Sequence, residues 1–401
     1  MRTVEEHRAA LVGLVSALPP VTVPLSESLG RVLAADVVAA VDLPGFDNSA
    51  MDGYAVRSAD VVGAGPASPV VLDVDGDIAA GDTRRHVLRR GATMRIMTGA
   101  PMPDGADAVV PVEQSDGGTD RAALMLAAEV GKHLRRRGED VRSGDVVLRA
   151  GMRMTPGRLA LAAASNVAEV LVAARPRVSV VSTGDELVGL GSPLDHGRIV
   201  DSNRPMLMAL VEAAGAELVG FGHVGDDGEA LASLLELGRG DPDLVLTTGG
   251  VSMGAYDTVK EVLSRSGTVE FSKVAMRPGM PQGAGVVGPR RTPIVTLPGN
   301  PVSSFVSFHI FVVPVLRALA GLDPEVALVD GVAAQGWSSV PGKVELTRVV
   351  LGPDGVRPSG GQGSHMLGAL ADATHLAVVD AATTNIEPGD VVHLLPLVGQ
   401  D

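Results

Sequence analysis

Between residues 177 and 319, short apolar runs alternate with helix-length patterns, and nearly every run stops at a cluster of Gly, Asp, Ser, Thr or Pro. Residues 178–181, 217–224, 243–246, 268–274 and 294–297 read as strands. Between them, Asp201-Ser202-Asn203 caps a helix with Pro205 in its first turn, Leu207, Leu210 and Val211 on its buried face and Gly215 at its end. Further helical patterns cover 229–237, the stretch opened by Asp257 (Val259, Val262, Leu263), and 302–319. Strands alternating with helices predict a doubly wound α/β layer. In such sheets ligands gather beyond the carboxyl ends of the strands. The polar turns at 183–186, 226–227, 247–250 and 298–300 fall on that edge.

The sharpest of these turns lies in LVLTTGGVSMGAYDTVK, residues 244–260. Adjacent Gly249 and Gly250 allow a tight turn and a close approach of backbone amides to a ligand. A strand, a glycine turn and a helix N-terminus suit a phosphate or oxyanion. The bland reading is a tight βα connection that binds nothing. The convergence of several such turns on one edge favours a ligand site. A GxGxxG match at Gly283, Gly285 and Gly288 is a decoy, because Pro281 precedes it and Pro289 and Pro293 follow, so no helix can start there. A nicotinamide or flavin enzyme is not supported.

The 401-residue chain implies more than one domain. Residues 3–18 read as an amphipathic helix, 25–40 as containing a second short helix, and 156–168 as a third. Residues 44–60 form a polar loop, and 70–112 and 326–401 read as short strands between Gly and Pro turns. Asp73, Asp75 and Asp77 resemble the start of a calcium loop, but the sixth-position Gly and twelfth-position Glu are missing, so they read as a turn. The basic run KHLRRR, 132–137, reads as a solvated face, with service to one anionic substrate as the alternative. Aromatics are 2% and the net charge is −14, which argue against base-stacking platforms, nucleic-acid partners and anionic membranes. With no cysteine, no signal-peptide pattern and no apolar run expected to approach the roughly 20 residues a bilayer requires, a cytoplasmic, soluble protein is expected.

Seven motifs, GFDNSAMDGYAVR, RIMTGAPMPDGADAVV, RRGED, STGDEL, TTGGVSMG, LPGNPVSS and GGQGSHML, occur in this order. They resemble the MoeA family, the molybdopterin molybdenumtransferases, related to the E domain of gephyrin. The resemblance implies an elongated multidomain subunit: an α/β molybdopterin-binding domain (1–24 plus 175–322), a connecting domain (25–43 plus 144–174), a β-rich domain (44–143) and a C-terminal small β-barrel (323–401). It implies a homodimer with its site between subunits, and insertion of molybdenum from molybdate into adenylylated molybdopterin with release of AMP.

By the same resemblance, Asp52, Glu186, Asp226 and Asp257 are the catalytic carboxylates. Asp185, Glu186 and Asp257 hold a divalent cation, Mg²⁺. The anionic substrates meet Thr183, Gly184, Gly249, Gly250 and Ser252 at the turns, and Lys260, Lys273 and Arg277 supply positive charge. Thr98, Ser202, Pro298, Asn300 and Ser303 complete the expected contacts. Two positions depart from the family pattern. Ala255 stands where GGVSMGD or GGVSVGE is usual, and Met280 replaces the second lysine of KPGKP. A diverged paralogue acting as a pterin-binding scaffold, and a pterin nucleotidyltransferase or pyrophosphatase, are the alternative readings.

Overall fold

The computed structural model describes residues 1–225, 241–250, 260, 263 and 268–399. They divide into two compact units, Met1–Val21 with Ala173–Asp401, and Thr22–Val172.

The first unit is built on a six-stranded sheet. Its strands in chain order are β1 (Arg177–Thr183), β2 (Glu217–Val224), β3 (Leu244–Thr248), β4 (Val269–Lys273), β5 (Pro281–Val287) and β6 (Thr292–Leu297). Their spatial order is 2-1-3-6-5-4. β1 pairs in parallel with both β2 and β3, and β3 in parallel with β6, whereas β5 runs antiparallel to β6 and β4. Val178, Val180, Leu244, Leu246, Val295 and Leu297 are all but fully buried, as expected for strands covered on both faces. The order reverses between β1 and β3, so the edge beyond their carboxyl ends is a topological switch point. The glycines of the GxGxxG decoy lie within β5. A Cβ on Gly283 would meet Thr296 Oγ1 at 2.1 Å, and one on Gly285 the Thr268 carbonyl at 2.0 Å. They serve close strand packing.

One helical run, Pro301–Leu319, is apolar and long enough to cross a membrane, contrary to the sequence expectation, but 89% of its apolar window is buried inside the fold. It is a core helix. It runs as α-helix over Pro301–Ser307, widens to a π turn over Phe308–Val312 and resumes as Val313–Leu319. Pro314 explains the widening, since it lacks the N–H that the Ile310 carbonyl would accept and its ring crowds that turn. The N-terminal helix, Val4–Val12, packs its buried His7 edge-on against Phe311, with ring centroids 4.8 Å apart. It is capped by Thr3 and Glu6 in a capping box and stops at Gly13 rather than at residue 18.

The C-terminal residues form the expected small barrel. Val329–Val332, Val391–Pro396, His375–Val379, Val344–Gly352 and Gly355–Pro358 pair in succession, and a bridge from Ala333 to Val356 closes the ring. Gly331 makes room inside, where a Cβ would lie 2.5 Å from Val356 and 2.8 Å from Leu394. A two-residue strand, Met276–Arg277, leaves the β4–β5 connection and pairs with Val344–Glu345 of this barrel.

The second unit carries a five-stranded sheet, in spatial order Ala108–Pro111, Gly53–Val56, Ala92–Ile96, Val70–Ile78 and Arg121–Leu124. Asp73, Asp75 and Asp77 are part of a nine-residue strand, and not a turn. A register shift between Val74 and Asp77, with Gly76 at φ 145°, bends it, and the three carboxylates pair with Arg121, Arg89 and Arg95. In place of a helix, residues 25–40 hold the single 3₁₀ turn Leu25–Glu27 and the short strand Val37–Val38. The helix from Pro156 ends at Ala164, because Asn166 turns left-handed at φ 58° before the strand Glu169–Val172. The basic run is tied down by acids of its own unit, Arg136 to Asp47 and Arg137 to Asp42.

Candidate functional site

A cleft of about 440 Å³ opens at the switch point of the sheet. Its walls are the turns after β1 (Thr183, Gly184, Glu186), β3 (Thr248, Gly249, Gly250) and β6 (Pro298, Gly299, Asn300), with Ser202 and Asn203 from the start of the helix Asn203–Ala213. Eight of the residues expected at the site, Thr183, Gly184, Glu186, Ser202, Gly249, Gly250, Pro298 and Asn300, line it together.

Buried hydroxyls and one amide fix the geometry. The Thr183 hydroxyl donates to the Thr248 carbonyl at 3.3 Å, locking the ends of β1 and β3. Asn203 Nδ2 donates to Thr248 Oγ1 at 2.9 Å and to the Gly299 carbonyl at 2.7 Å. Thr248 Oγ1 in turn donates to the Pro298 carbonyl at 3.2 Å. Thus one buried hydroxyl ties the turns after β3 and β6 to the start of the helix, and Asn203 orients it. Gly249, at φ 94°, is obligatory in this arrangement, because a Cβ would sit 2.4 Å from the Thr183 carbonyl oxygen. Asp201, almost fully buried, accepts from the Ser182 hydroxyl at 2.6 Å and the Arg204 amide at 3.1 Å, so it rather than Ser202 caps the helix.

The paired acids after β1 point to different places. The Glu186 carboxylate folds over Gly184, within 2.5–2.8 Å of where a Cβ would stand, while Asp185 Oδ1 lies over Gly225 at the end of β2. The other expected residues are dispersed. Ser303 is buried in the first turn of the core helix, with its neighbour Ser304 3.4 Å from Thr248 Oγ1. Lys273 ends β4, Arg277 lies on the short strand paired with the barrel, and Lys260 is half-buried. None of these four is among the described residues lining the cleft. Asp226, Ser252, Ala255 and Asp257 lie outside the described residues.

In the other unit, Asp52 and Thr98 meet. Asp52 Oδ1 accepts from the Thr98 amide at 2.6 Å and from its hydroxyl at 2.8 Å. These bonds, the amide's first, hold the carboxyl below the usual carboxylate range. Gly53 beside it permits tight strand pairing, since a Cβ would lie 2.1 Å from the Val110 carbonyl oxygen.

Asn203 and Asp201 were not expected at the site, and Thr248 only as part of the turn 247–250. Asn203 was legible only as a helix start. A further contributor is the GGQGSHML loop. Arg348, buried in the barrel without a carboxylate partner among the described residues, donates to the carbonyls of Gly361, Gly363 and Met366 and to Gln362 Oε1. The loop it shapes places Ser364 Oγ 3.2 Å from Asn300 Nδ2.

A mixed α/β sheet whose strand order reverses at a cleft walled by glycine turns and hydroxyls places the chain in the doubly wound class, whose ligand sites lie at such switch points. Three family models match in succession: the MoeA N-terminal region (domain I and II) over residues 2–165, a probable molybdopterin binding domain over 179–318 and the MoeA C-terminal region (domain IV) over 330–397. The chain is 47% identical over 398 residues to molybdopterin molybdenumtransferase 2 of Mycobacterium tuberculosis, covering 97% of this chain and 98% of that one. It is 36% identical to molybdopterin molybdenumtransferase 1 of the same organism, covering 98% of each. Among solved structures, a molybdopterin biosynthesis moeA protein from Pyrococcus horikoshii OT3 superposes with a TM-score of 0.82 at 28% identity, over 99% of this chain and 100% of that one. The chain belongs to the MoeA family.

Proposed function

We infer that this protein is a molybdopterin molybdenumtransferase of molybdenum cofactor biosynthesis, which inserts molybdenum from molybdate into adenylylated molybdopterin and releases AMP. The observation that carries this is similarity along essentially the whole chain to molybdopterin molybdenumtransferases. Such similarity favours the transferase over a pterin nucleotidyltransferase, which would need only the α/β part, and over a scaffold with a decayed pocket.

The finer assignments are ours. In this reading the pterin's anionic groups bind the amides of Gly249 and Gly250 and the hydroxyl of Ser252, with Thr183, Gly184, Ser202, Pro298, Asn300 and Ser303 shaping the pocket. Lys260, Lys273 and Arg277 offset negative charge, and Glu186, Asp226 and Asp257 act at the phosphoanhydride. Asp52, steadied by Thr98, completes the site from a second copy of the chain. Exposed Phe46, Met51, Met97 and Val112 around Asp52 support a homodimer that covers them. The four-part domain division and a cytoplasmic location belong to the same reading, the latter supported by the absence of cysteine.

For Mg²⁺, the donor set is the test. Among the described residues no three His, Asp or Glu side chains converge as a metal site. Asp185 and Glu186 point to different places, so in this reading the ion would take one or two carboxylates from Asp185, Glu186 and Asp257 and fill its shell with substrate phosphate oxygens and water. The ion would offset charge on the phosphoanhydride as AMP departs.

The test is direct. Purified protein is incubated with adenylylated molybdopterin, molybdate and Mg²⁺, and AMP and active cofactor are measured. Release of AMP coupled to molybdate is the expected outcome, and tight binding of the intact adenylylated pterin without AMP release would replace the enzyme by a scaffold. Chelation tests the metal, and sedimentation equilibrium tests the dimer.

A further inference from the structure

The loop Arg277-Pro-Gly-Met280-Pro lacks the second cation of the family's KPGKP pattern, yet a cation stands beside the vacant position. Lys343 Nζ lies 3.7 Å from the Met280 sulfur. Strand pairing brings it there. Met276 and Arg277 pair in parallel with Val344 and Glu345, and the Val344 amide donates to the Ala275 carbonyl at 2.9 Å. Lys343, the residue just before the barrel strand Val344–Gly352, therefore lies alongside the loop.

The loop itself is firmly held. The Val274 amide donates to the Met280 carbonyl at 2.8 Å and closes it. Gln282 Nε2 clamps the Gly279 carbonyl to Ser307 Oγ, at 2.7 Å each. A side chain at 280 thus has a defined direction, toward Lys343.

The charges around Lys343 complete the case. Glu345 is the acid beside the loop, and it is already engaged. The Val340 amide donates to its Oε2 at 2.9 Å, and Arg277 stands 4.0 Å from its Oε1. Among the described residues no carboxylate stands within ion-pair distance of Lys343, so its half-buried side chain faces a thioether rather than a counter-ion. A thioether is a weak acceptor that tolerates an ammonium, whereas a lysine at 280 would repel it.

We infer that Lys343 supplies, from the adjacent barrel strand, the positive charge that position 280 has lost, and that it binds an oxyanion of the substrates together with Arg277. The inference rests on the reading of Arg277 as a substrate-binding residue. The oxyanion is molybdate or a phosphate of the adenylylated pterin, and both present the same tetrahedral oxygens to an ammonium.

The experiment compares Lys343→Ala, Met280→Lys, their combination and Arg277→Ala in full-length protein, with circular dichroism melts to confirm folding. KM is measured separately for molybdate and for adenylylated molybdopterin. Lys343→Ala is expected to raise one of the two by about tenfold, the effect of one lost charge-assisted contact, with the change in KM rather than kcat. The substrate whose KM moves identifies the oxyanion. Met280→Lys is expected to restore that KM in the Lys343→Ala background and to give no gain in the wild type. Unchanged KM values in Lys343→Ala, or a rise that Met280→Lys leaves uncorrected, would overturn the inference. If Arg277→Ala raises KM while Lys343→Ala does not, only the role of Lys343 fails. If neither does, the substrate-binding reading of the loop fails with it.

Discussion

The cleft at the end of the α/β sheet and the Asp52–Thr98 corner carry comparable polar chemistry by opposite means. The cleft is assembled from turns far apart in sequence. Asn203 reaches Thr248, 45 residues on, and Gly299, 96 residues on, and all the bonding atoms are buried or nearly so. The corner joins two loops on neighbouring strands of one sheet and leaves its carboxylate in contact with solvent. A buried network with one hub is rigid, and losing the hub leaves polar groups unpaired. An exposed carboxylate held by two donors can be altered with little effect on the fold. Shape is therefore determined in the cleft, and local charge is set at the corner.

The strongest way to break this contrast is Gly249→Ala. The new methyl group would sit 2.4 Å from the Thr183 carbonyl at a left-handed φ, so we expect a stability loss of about 2–4 kcal/mol and a turnover loss of at least about 100-fold. A thermal melt and an AMP-release assay check both, and a variant of wild-type stability would show that the cleft is not built on that contact. Asp52→Asn should separate the two effects: an unchanged melting temperature with turnover reduced roughly 100-fold, the size of a lost acid–base group. A joint loss of stability would make Asp52 a structural residue.

Acid should discriminate between the units. His309 is buried beside the cleft's core helix, with Nδ1 donating to the Phe305 carbonyl and Nε2 accepting from the Val398 amide, and burial lowers its pKa to about 4. His7 is likewise lowered to about 4, by burial and then by Arg2. Each folded pKa lies below the unfolded value of 6.5, so the stability these imidazoles contribute is present above pH 6.5 and is lost as pH falls toward 4. At pH 5 the loss is about 2 kcal/mol for each. Trp337, the single tryptophan of the chain, reports on this unit by fluorescence. Its melting temperature should drop between pH 7 and pH 5, and His309→Gln should reduce the drop. The smallest effect is Thr98→Ala. Removing a donor lets the Asp52 pKa rise, so the acid limb of kcat/KM should move to higher pH. An unmoved limb would mean that Asp52 does not govern it.

The elements of the α/β sheet were legible because each strand and turn is encoded locally. Apolar runs such as 178–181 and 244–246 bury on both faces, and the glycines that follow permit angles other residues resist. The N-terminal helix was overextended to residue 18 because its apolar stripe continues past Gly13, where packing rather than helix periodicity takes over. Residues 73–77 misled for the opposite reason: three aspartates read as a turn until arginines from other strands neutralise them.

From the sequence alone came the class of sheet, the edge on which the cleft opens, and eight of the residues that line it. The tertiary structure decided the rest. It made Thr248 a hub and Asn203 its clamp, drew Met276–Arg277 out of the α/β layer into the barrel, and set Lys343 against Met280. The physical reason is range. Backbone conformation and amphipathic period are fixed by neighbours within a few residues, whereas a buried hydrogen bond or a charge restored from another strand exists only after the chain has brought distant residues together.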